Sequence, residues 1–147
     1  MAAIADVQQR FSAGWESFFR TTRRLRARAG RFPGELTLPQ YHLLEALRET
    51  PELPVGELAD HAGVAPPTAT RMLDCLARDG FVERRHSESD RRSVLVSLTE
   101  RGEAAVENAH EVIETWRREV FERLKPEERE PAARLLARLA EVLEEDL

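Results

Sequence analysis

The sequence predicts a mainly α-helical chain with one small two-stranded β-hairpin. Apolar residues recur at three- and four-residue steps over most of the 147 positions, which is the spacing of amphipathic helices. Only the neighbouring segments FVERR and SVLVSL form short runs of β-branched and apolar residues that are typical of strands. Gly and Pro stand where the helical patterns stop. The predicted order is therefore four helices, the hairpin and two further helices.

The composition sets the class of protein. Hydrophobic residues make up 41% and charged residues 33%, and no apolar run approaches the ~20 residues that a membrane-spanning helix needs. The first residues, MAAIADVQQRFSAGWESFF, lack the basic and apolar regions of a secretion signal, so we expect a folded cytoplasmic protein. The single cysteine excludes an internal disulfide and a multi-cysteine zinc site.

The first two helices are predicted from their apolar spacing and their ends. The first has an apolar face and should end at Gly30, Pro33 and Gly34; the face consists of Ile4, Val7, Phe11, Trp15, Phe18 and Leu25. The second, LTLPQYHLLEALRET, has Thr37 as a candidate N-cap and Pro39 in its first turn, where the missing N–H costs little. Pro51 and Pro54 should close it.

The third and fourth helices, PVGELADHAG and VAPPTATRMLDCLARDG, have the pattern of a helix-turn-helix. Ala59 is small enough for the helix crossing, Gly63 suits the turn, and Gly80 suits the end of the fourth helix. The fourth helix should begin with two prolines after Ala65, which offers no side-chain cap. The inward positions are apolar: Leu58, Ala62, Val64, Ala69, Met72, Leu73 and Leu76.

The hairpin and the last two helices complete the chain. FVERR and SVLVSL are separated by the polar HSESDRR, which should be an exposed tip. Thr99 is a candidate N-cap for the fifth helix, whose stripe includes Ala105, Ala109, Val112, Ile113, Trp116, Val120 and Leu124. The sixth follows Pro126, and Pro131 should either kink it or delay its start. A helix-turn-helix followed by such a hairpin is a winged helix.

Charge is unevenly distributed along this acidic chain, whose formal net charge is −5. Residues 102–147 hold thirteen acidic side chains against seven basic ones, whereas residues 84–92 hold four arginines against two carboxylates. A basic hairpin tip on an acidic body is compatible with DNA binding, because phosphates need a locally positive surface.

The segment TATRMLDCLARDGFVERRHSESDRRSVLVSLTERG resembles the central signature of the multiple-antibiotic-resistance regulator (MarR) family of bacterial transcription factors. The resemblance implies a regulator, commonly a repressor, that binds a palindromic operator as a homodimer and releases it on binding a small aromatic or phenolic anion. It further implies that residues 1–34 and 103–147 dimerise and that residues 35–102 form the winged helix-turn-helix.

The resemblance also assigns roles at the hairpin, or wing. Asp90, Arg91 and Arg92 match the family's Asp-x-Arg element, in which the arginine enters the minor groove; Arg92 suits a narrow A·T-rich groove, which concentrates negative potential. We expect Asp90 to hold the arginine extended through a charge-assisted bond. Arg84, Arg85 and Arg91 should meet phosphates.

In the fourth helix, the recognition helix, the residues near the N-terminus should enter the major groove. Arg71 would read a guanine edge or bind a phosphate, and Thr68 and Thr70 would bind phosphates or pack on a thymine methyl, with Pro67 beside them. Cys75 lies on the same face, as an inert small residue or as a site at which oxidation disrupts DNA binding.

Family pockets lie where the first, second and fifth helices meet. This places candidate ligand contacts at Trp15, Phe19, Tyr41, His42 and Trp116, all equally suitable as core residues, with an arginine as counter-charge. The run RTTRRLRAR at 20–28 is predicted to be a solvated helix end.

Three alternatives remain open at this stage. His42 and His110, with nearby glutamates, are similar to the ligands of zinc-responsive relatives, although a full tetrahedral set is not evident. A winged helix can also bind protein instead of DNA. An enzyme is not expected, because the sequence has no nucleophile elbow, phosphate loop or metal-ligand pair, and no cofactor is predicted.

Overall fold

A computed structural model describes residues 2–32 and 35–145, and Pro33 and Gly34, two of the three residues expected to end the first helix, lie outside this range. Six helices and three strands follow one another in the described chain: α1 Ala2–Ala29, α2 Leu38–Leu44, β1 Glu52–Pro54, α3 Val55–Ala62, α4 Pro66–Arg78, β2 Val82–His86, β3 Val94–Leu98, α5 Glu100–Arg123 and α6 Pro126–Glu145. The predicted helical fold with a β-wing is confirmed.

The chain forms two compact units, Met1–Ala109 and His110–Leu147, and α5 begins in the first and ends in the second. The buried residues of the first unit lie between Leu36 and the end of β3 and at the start of α5. Leu36, Leu44, Leu58, Ala59, Ala69, Leu73, Leu76, Val96 and Val106 are fully buried there. The second unit consists of the rest of α5 and α6, which present several exposed apolar side chains.

Local signals set the helix ends as predicted. Thr37 caps α2 in a capping box, in which its hydroxyl accepts from the Gln40 backbone N–H and the Gln40 side chain accepts from the Thr37 N–H. Thr99 caps α5 by accepting from the Gly102 N–H at 3.0 Å. Gly63 ends α3 with φ of 65°, and Ala65 precedes α4 without a side-chain cap.

Three features differ from the sequence prediction in detail. The second helix changes to a 3₁₀ turn over Glu45–Arg48, so its last part is wound more tightly than an α-helix. The helix α6 begins at Pro126 and continues through Pro131, so the delayed start is not observed. The wing hairpin gains a third strand, since β1 pairs antiparallel with β3 in the order β1-β3-β2.

No described helix is long and apolar enough to cross a membrane. The helix α1 is nevertheless exposed along most of its length in this single chain, and only Trp15 and Thr22 are half-buried among its described side chains. Its exposed apolar residues are Ile4, Val7, Phe11, Phe18, Phe19 and Leu25. A second apolar set is exposed on α5 and α6, and includes Trp116, Phe121, Leu135 and Leu136.

Candidate nucleic-acid interface

The helix-turn-helix is formed by two short helices that meet at small side chains. Ala59 of α3 and Ala69 of α4 are both fully buried, as the close crossing of two helices requires. Gly63 adopts the left-handed conformation that lets α3 end and the turn begin. Leu58, Leu73 and Leu76 are fully buried beside this crossing. The motif therefore presents the outer face of α4 to solvent.

The outer face of α4 contains the predicted recognition residues. Pro67, Thr68, Thr70 and Arg71 are exposed, and the Arg71 guanidinium has no carboxylate within 4.0 Å in the described part of the chain. The Thr70 hydroxyl donates to the Pro66 carbonyl at 3.0 Å, which leaves its oxygen available as an acceptor. These side chains surround the N-terminal turn of the helix, where a partial positive charge favours phosphate.

Cys75 is half-buried farther along the same helix. Its neighbour Asp74 faces the wing and accepts from the Arg84 guanidinium at 2.5 Å. That oxidation of Cys75 disrupts DNA binding stays a prediction.

The wing arginines fall into two pairs. Arg84 is bonded to Asp74 on α4, and Arg85 donates two hydrogen bonds of 2.7 and 2.6 Å to the Glu52 carboxylate on β1. This bidentate hydrogen bond raises the pKa of Arg85 above its ordinary value. Both side chains were predicted to meet phosphates, but in the structure each has a carboxylate partner in the same chain. They tie the wing to the recognition helix and to the edge strand.

Arg91 and Arg92 form the other pair, at the tip of the wing. Both are exposed, and across residues 2–32 and 35–145 no carboxylate lies within 4.0 Å of either guanidinium. The Asp90 carboxylate, expected to hold an arginine side chain, instead accepts from the backbone N–H of Arg92 at 3.0 Å. The reason is local geometry, because an aspartate readily closes a turn with the backbone N–H two residues ahead.

The rest of the tip is held by its own hydrogen bonds. The Ser93 N–H donates to the Asp90 carbonyl, and the Ser87 N–H donates to the Ser93 carbonyl. His86 Nδ1 donates to the Arg91 carbonyl at 3.0 Å. A backbone fixed in this way holds two unpaired guanidinium groups on a short exposed turn.

The candidate ligand residues occupy different surroundings. Tyr41 is only 1% exposed and packs in the core beside Phe32, while the Trp15 and Phe19 rings on α1 contact each other at a tilt, with ring centroids 4.7 Å apart. Trp116 belongs to the second unit and is 48% exposed. Among the predicted residues of the first unit, His42 alone lines a cleft there.

This cleft, of about 500 Å³, lies between the C-terminal part of α1, the start of α2 and the end of α3. Its wall contains two groups that can bear positive charge, Arg26 and His42. The other lining residues are mostly apolar or small: Ala27, Gly30, Thr37, Leu38, Pro39, Ala62 and Val64. Sequence reasoning had treated Arg26 as part of a solvated helix end, since nothing in a run of arginines shows which one faces a cleft.

The described residues do not bring together three or more His, Cys, Asp or Glu side chains in an arrangement suited to a metal ion. His42 and His110, the two histidines considered for zinc, lie in different units. The zinc-responsive alternative therefore gains no support from the described geometry.

A helix-turn-helix followed by a wing with unpaired arginines defines a winged-helix DNA-binding protein. The sequence profile of the MarR family matches residues 36–94, which cover the helix-turn-helix and most of the wing. The transcriptional repressor Rv2887 of Mycobacterium tuberculosis is 36% identical over 107 residues, which are 73% of this chain and 77% of that protein. The chain belongs to the MarR family of transcriptional regulators, and so to regulators rather than enzymes.

Two solved structures have the same fold. FabT of Streptococcus pneumoniae in complex with DNA is 22% identical, with a TM-score of 0.81 over 95% of this chain and 99% of that one. BpsR of Bordetella bronchiseptica, whose DNA binding is regulated by 6-hydroxynicotinic acid, is 25% identical, with a TM-score of 0.72 over 87% of this chain and 98% of that one. The first of these structural relatives thus binds DNA, and the second responds to an aromatic acid.

Proposed function

We propose that this regulator represses transcription by binding a palindromic operator as a homodimer, in the cytoplasm where bacterial DNA is found. The observation that carries the proposal is the division of the wing arginines. Arg84 and Arg85 are paired with Asp74 and Glu52, whereas Arg91 and Arg92 extend from the tip without a carboxylate partner in the described chain. Unpaired guanidinium groups are the ones free to bind DNA without first breaking an ion pair.

Each DNA element has a distinct role in this proposal. Arg92 enters the minor groove, and Arg91 beside it binds a phosphate. The start of α4 enters the major groove, where Arg71 reads a base edge or binds a phosphate and where Thr68 and Thr70 contact the backbone or a thymine methyl. Residues 35–102 constitute the DNA-binding region, and residues 1–34 and 103–147 the dimerisation region.

The apolar face of α1 and that of α5 and α6 support dimerisation. Among the described residues of the single chain, fourteen large apolar side chains are exposed, including Ile4 at 73% and Leu136 at 60%. Exposed apolar area of this extent usually marks a surface that another protein covers. A symmetric pair would present two recognition helices to two half-sites.

The cleft supports an aromatic anion as the effector. Arg26 supplies a permanent positive charge, His42 a second polar group, and Leu38, Pro39 and Val64 apolar contacts. A ligand releases DNA only if it binds more tightly to a dimer geometry that does not fit the operator than to one that does. The aromatic acid that regulates BpsR belongs to the ligand class we propose.

The salt dependence of binding to the DNA upstream of the protein's own gene tests the roles of the wing arginines. Arg92→Ala should weaken binding and reduce the slope of log K against log salt by about 1, because one guanidinium in the minor groove no longer displaces a counterion from the DNA. Arg85→Ala, the matched control, removes the same charge from a paired residue and should leave the slope unchanged. Equal slopes for both variants would contradict the assignment, and salt-independent binding by the parent protein would favour a protein-binding module instead.

A further inference from the structure

One carboxylate connects the cleft to the helix-turn-helix. Glu45, in the 3₁₀ turn after α2, lies with its Oε1 3.4 Å from His42 Nδ1 and 3.1 Å from His61 Nε2. His42 lines the cleft, whereas His61 belongs to α3 and is not part of the lining. The three side chains are each between one quarter and one half exposed, so the cluster is neither fully solvated nor sealed from water.

The bond to Glu45 determines what His42 can offer a ligand. A carboxylate only accepts hydrogen bonds, so His42 must donate from Nδ1. In the neutral ring the proton is then on Nδ1, and Nε2 carries a lone pair that repels an anion. Only the protonated ring donates from both nitrogens at once. An anion that is to accept a hydrogen bond from His42 therefore requires a second proton on this ring.

We propose that the cleft binds an aromatic carboxylate together with one proton, which His42 takes up from solvent. This inference rests on the proposed effector site. The carboxylate of the ligand accepts from His42 Nε2 and pairs with Arg26, while Glu45 keeps its bond to Nδ1. The effector and the proton then bind cooperatively, so a weak acid acts more strongly as the pH falls.

The groups around His42 suit an anionic ligand. Arg26 on α1 lines the cleft together with His42, so an anion bound there meets a permanent positive charge as well as the ring. Glu45 accepts a hydrogen bond from His42 Nδ1, and the Tyr41 ring lies beside the imidazole with centroids 5.6 Å apart. His61 on α3 shares the Glu45 oxygen from the other side. Among the described residues, these are the charged and titratable groups of α1, α2, the 3₁₀ turn and α3 that contact His42 or Glu45 or line the cleft with His42.

The Glu45 carboxylate stays ionised around neutral pH. Burial raises the pKa of Glu45, but hydrogen bonds from His61, Tyr41 and His42 outweigh burial and hold the pKa below its ordinary value. Its carboxylate is therefore ionised at neutral pH and remains so into the acid range. The proton that accompanies the ligand belongs to the imidazole.

Isothermal titration calorimetry of the full chain with benzoate tests the proposal. Titrations at pH 7.5 in phosphate and in Tris, which differ in ionisation enthalpy, give the number of protons taken up. We expect nearly one proton per benzoate and an affinity that falls by up to tenfold per pH unit above neutrality, because the bound anion needs an imidazole that carries both protons.

Three variants locate the proton. His42→Gln retains an amide donor but cannot be protonated, so uptake should fall to zero and the affinity should no longer depend on pH. His61→Gln, the matched control on the other side of Glu45, should retain uptake. Arg26→Gln should weaken benzoate binding at least tenfold and also retain uptake, which keeps the proposal testable if His42→Gln does not fold.

The outcomes separate this inference from the effector site on which it rests. Benzoate binding without proton uptake, or uptake that persists in folded His42→Gln, would overturn the inference and leave the effector site standing. The absence of any binding at pH 6.0 would overturn both. DNA binding by the same preparation, followed by fluorescence anisotropy, reports on the operator-binding role independently.

Discussion

Gly102 lies so close to the backbone just before β2 that a side chain does not fit. It is buried in the first turn of α5, and a Cβ added there would lie 1.9 Å from the Phe81 carbonyl oxygen. That carbonyl already accepts from the Thr99 N–H, so it is fixed in place. One residue thus sets how closely the fifth helix starts against the wing.

Gly102→Ala should destabilise the protein by about 1–3 kcal/mol or more, because the start of α5 must move away from Phe81. Gly56→Ala is the control: Gly56 is helical, and an added Cβ meets nothing within 4 Å. We expect this change to be neutral or to stabilise by up to about 1 kcal/mol. Thermal unfolding followed by circular dichroism distinguishes the two, and equal midpoints would contradict this packing.

Arg101 shows how single residues join elements. Its guanidinium donates to the Glu35 carboxylate at 3.1 and 2.6 Å and to the Asp79 carbonyl at 2.6 Å, and it lies over the Phe81 ring at 4.4 Å. The hydrogen bond with Arg101 holds the pKa of Glu35 below its ordinary range. This arginine links α5 to the segment before α2 and to the turn before β2.

At the scale of elements, the recognition helix and the wing form one connected surface. The Arg84 bond to Asp74 joins β2 to α4, and the Arg85 bond to Glu52 joins β2 to β1. Ion pairs this exposed contribute little to stability, about 0–1 kcal/mol. Their contribution is to orientation, since they fix the base of the hairpin while its tip remains free for DNA.

Arg71→Ala in α4 should change which sequences the protein prefers, because a base contact in the major groove discriminates by about 1–3 kcal/mol. Selection from a duplex library randomised in the half-site measures this preference. Arg78→Ala, in the last turn of the same helix, is the control and should leave the preference unchanged. An unaltered preference for the Arg71 variant would assign that residue to a phosphate.

The sequence predicts elements better than it predicts partners between them. Thr37, Gly63 and Thr99 were predictable because capping and left-handed turns depend on residues within four positions. The strand β1 was not predicted, because a strand of three residues that follows Pro51 and ends at Pro54 carries no periodic signal and pairs only across the fold. The Arg85–Glu52 bond spans 33 positions, and no local pattern reveals it.

The same limit applies to the candidate sites. The exposed face of α4 follows from helical periodicity, so its residues were assigned correctly to the surface. Arg26 was not singled out among the arginines of α1, and Glu45 was read only as part of a helix. Both became significant only when α1, α2 and α3 were placed side by side.

At the scale of the whole molecule, the exposed apolar faces predict a stable dimer. Light scattering coupled to gel filtration should give twice the 16.8 kDa mass of the chain. Leu136→Glu places a charge on a residue that is 60% exposed in the single chain, and it should shift the mass toward the monomer and weaken operator binding. Arg134→Gln on the same helix should remain dimeric. A parent protein that is monomeric at micromolar concentration would contradict the predicted dimer.

Hydroxyl-radical footprinting of the protein on its upstream DNA tests whether it binds an operator as a symmetric dimer. A symmetric dimer that uses two α4 helices and two wing tips should protect two major-groove half-sites about one helical turn, ~10 bp, apart, with minor-groove protection on either side. Arg92→Ala should remove the outer minor-groove protection and leave the two half-sites. A single protected half-site, or protection without any symmetry, would contradict the account.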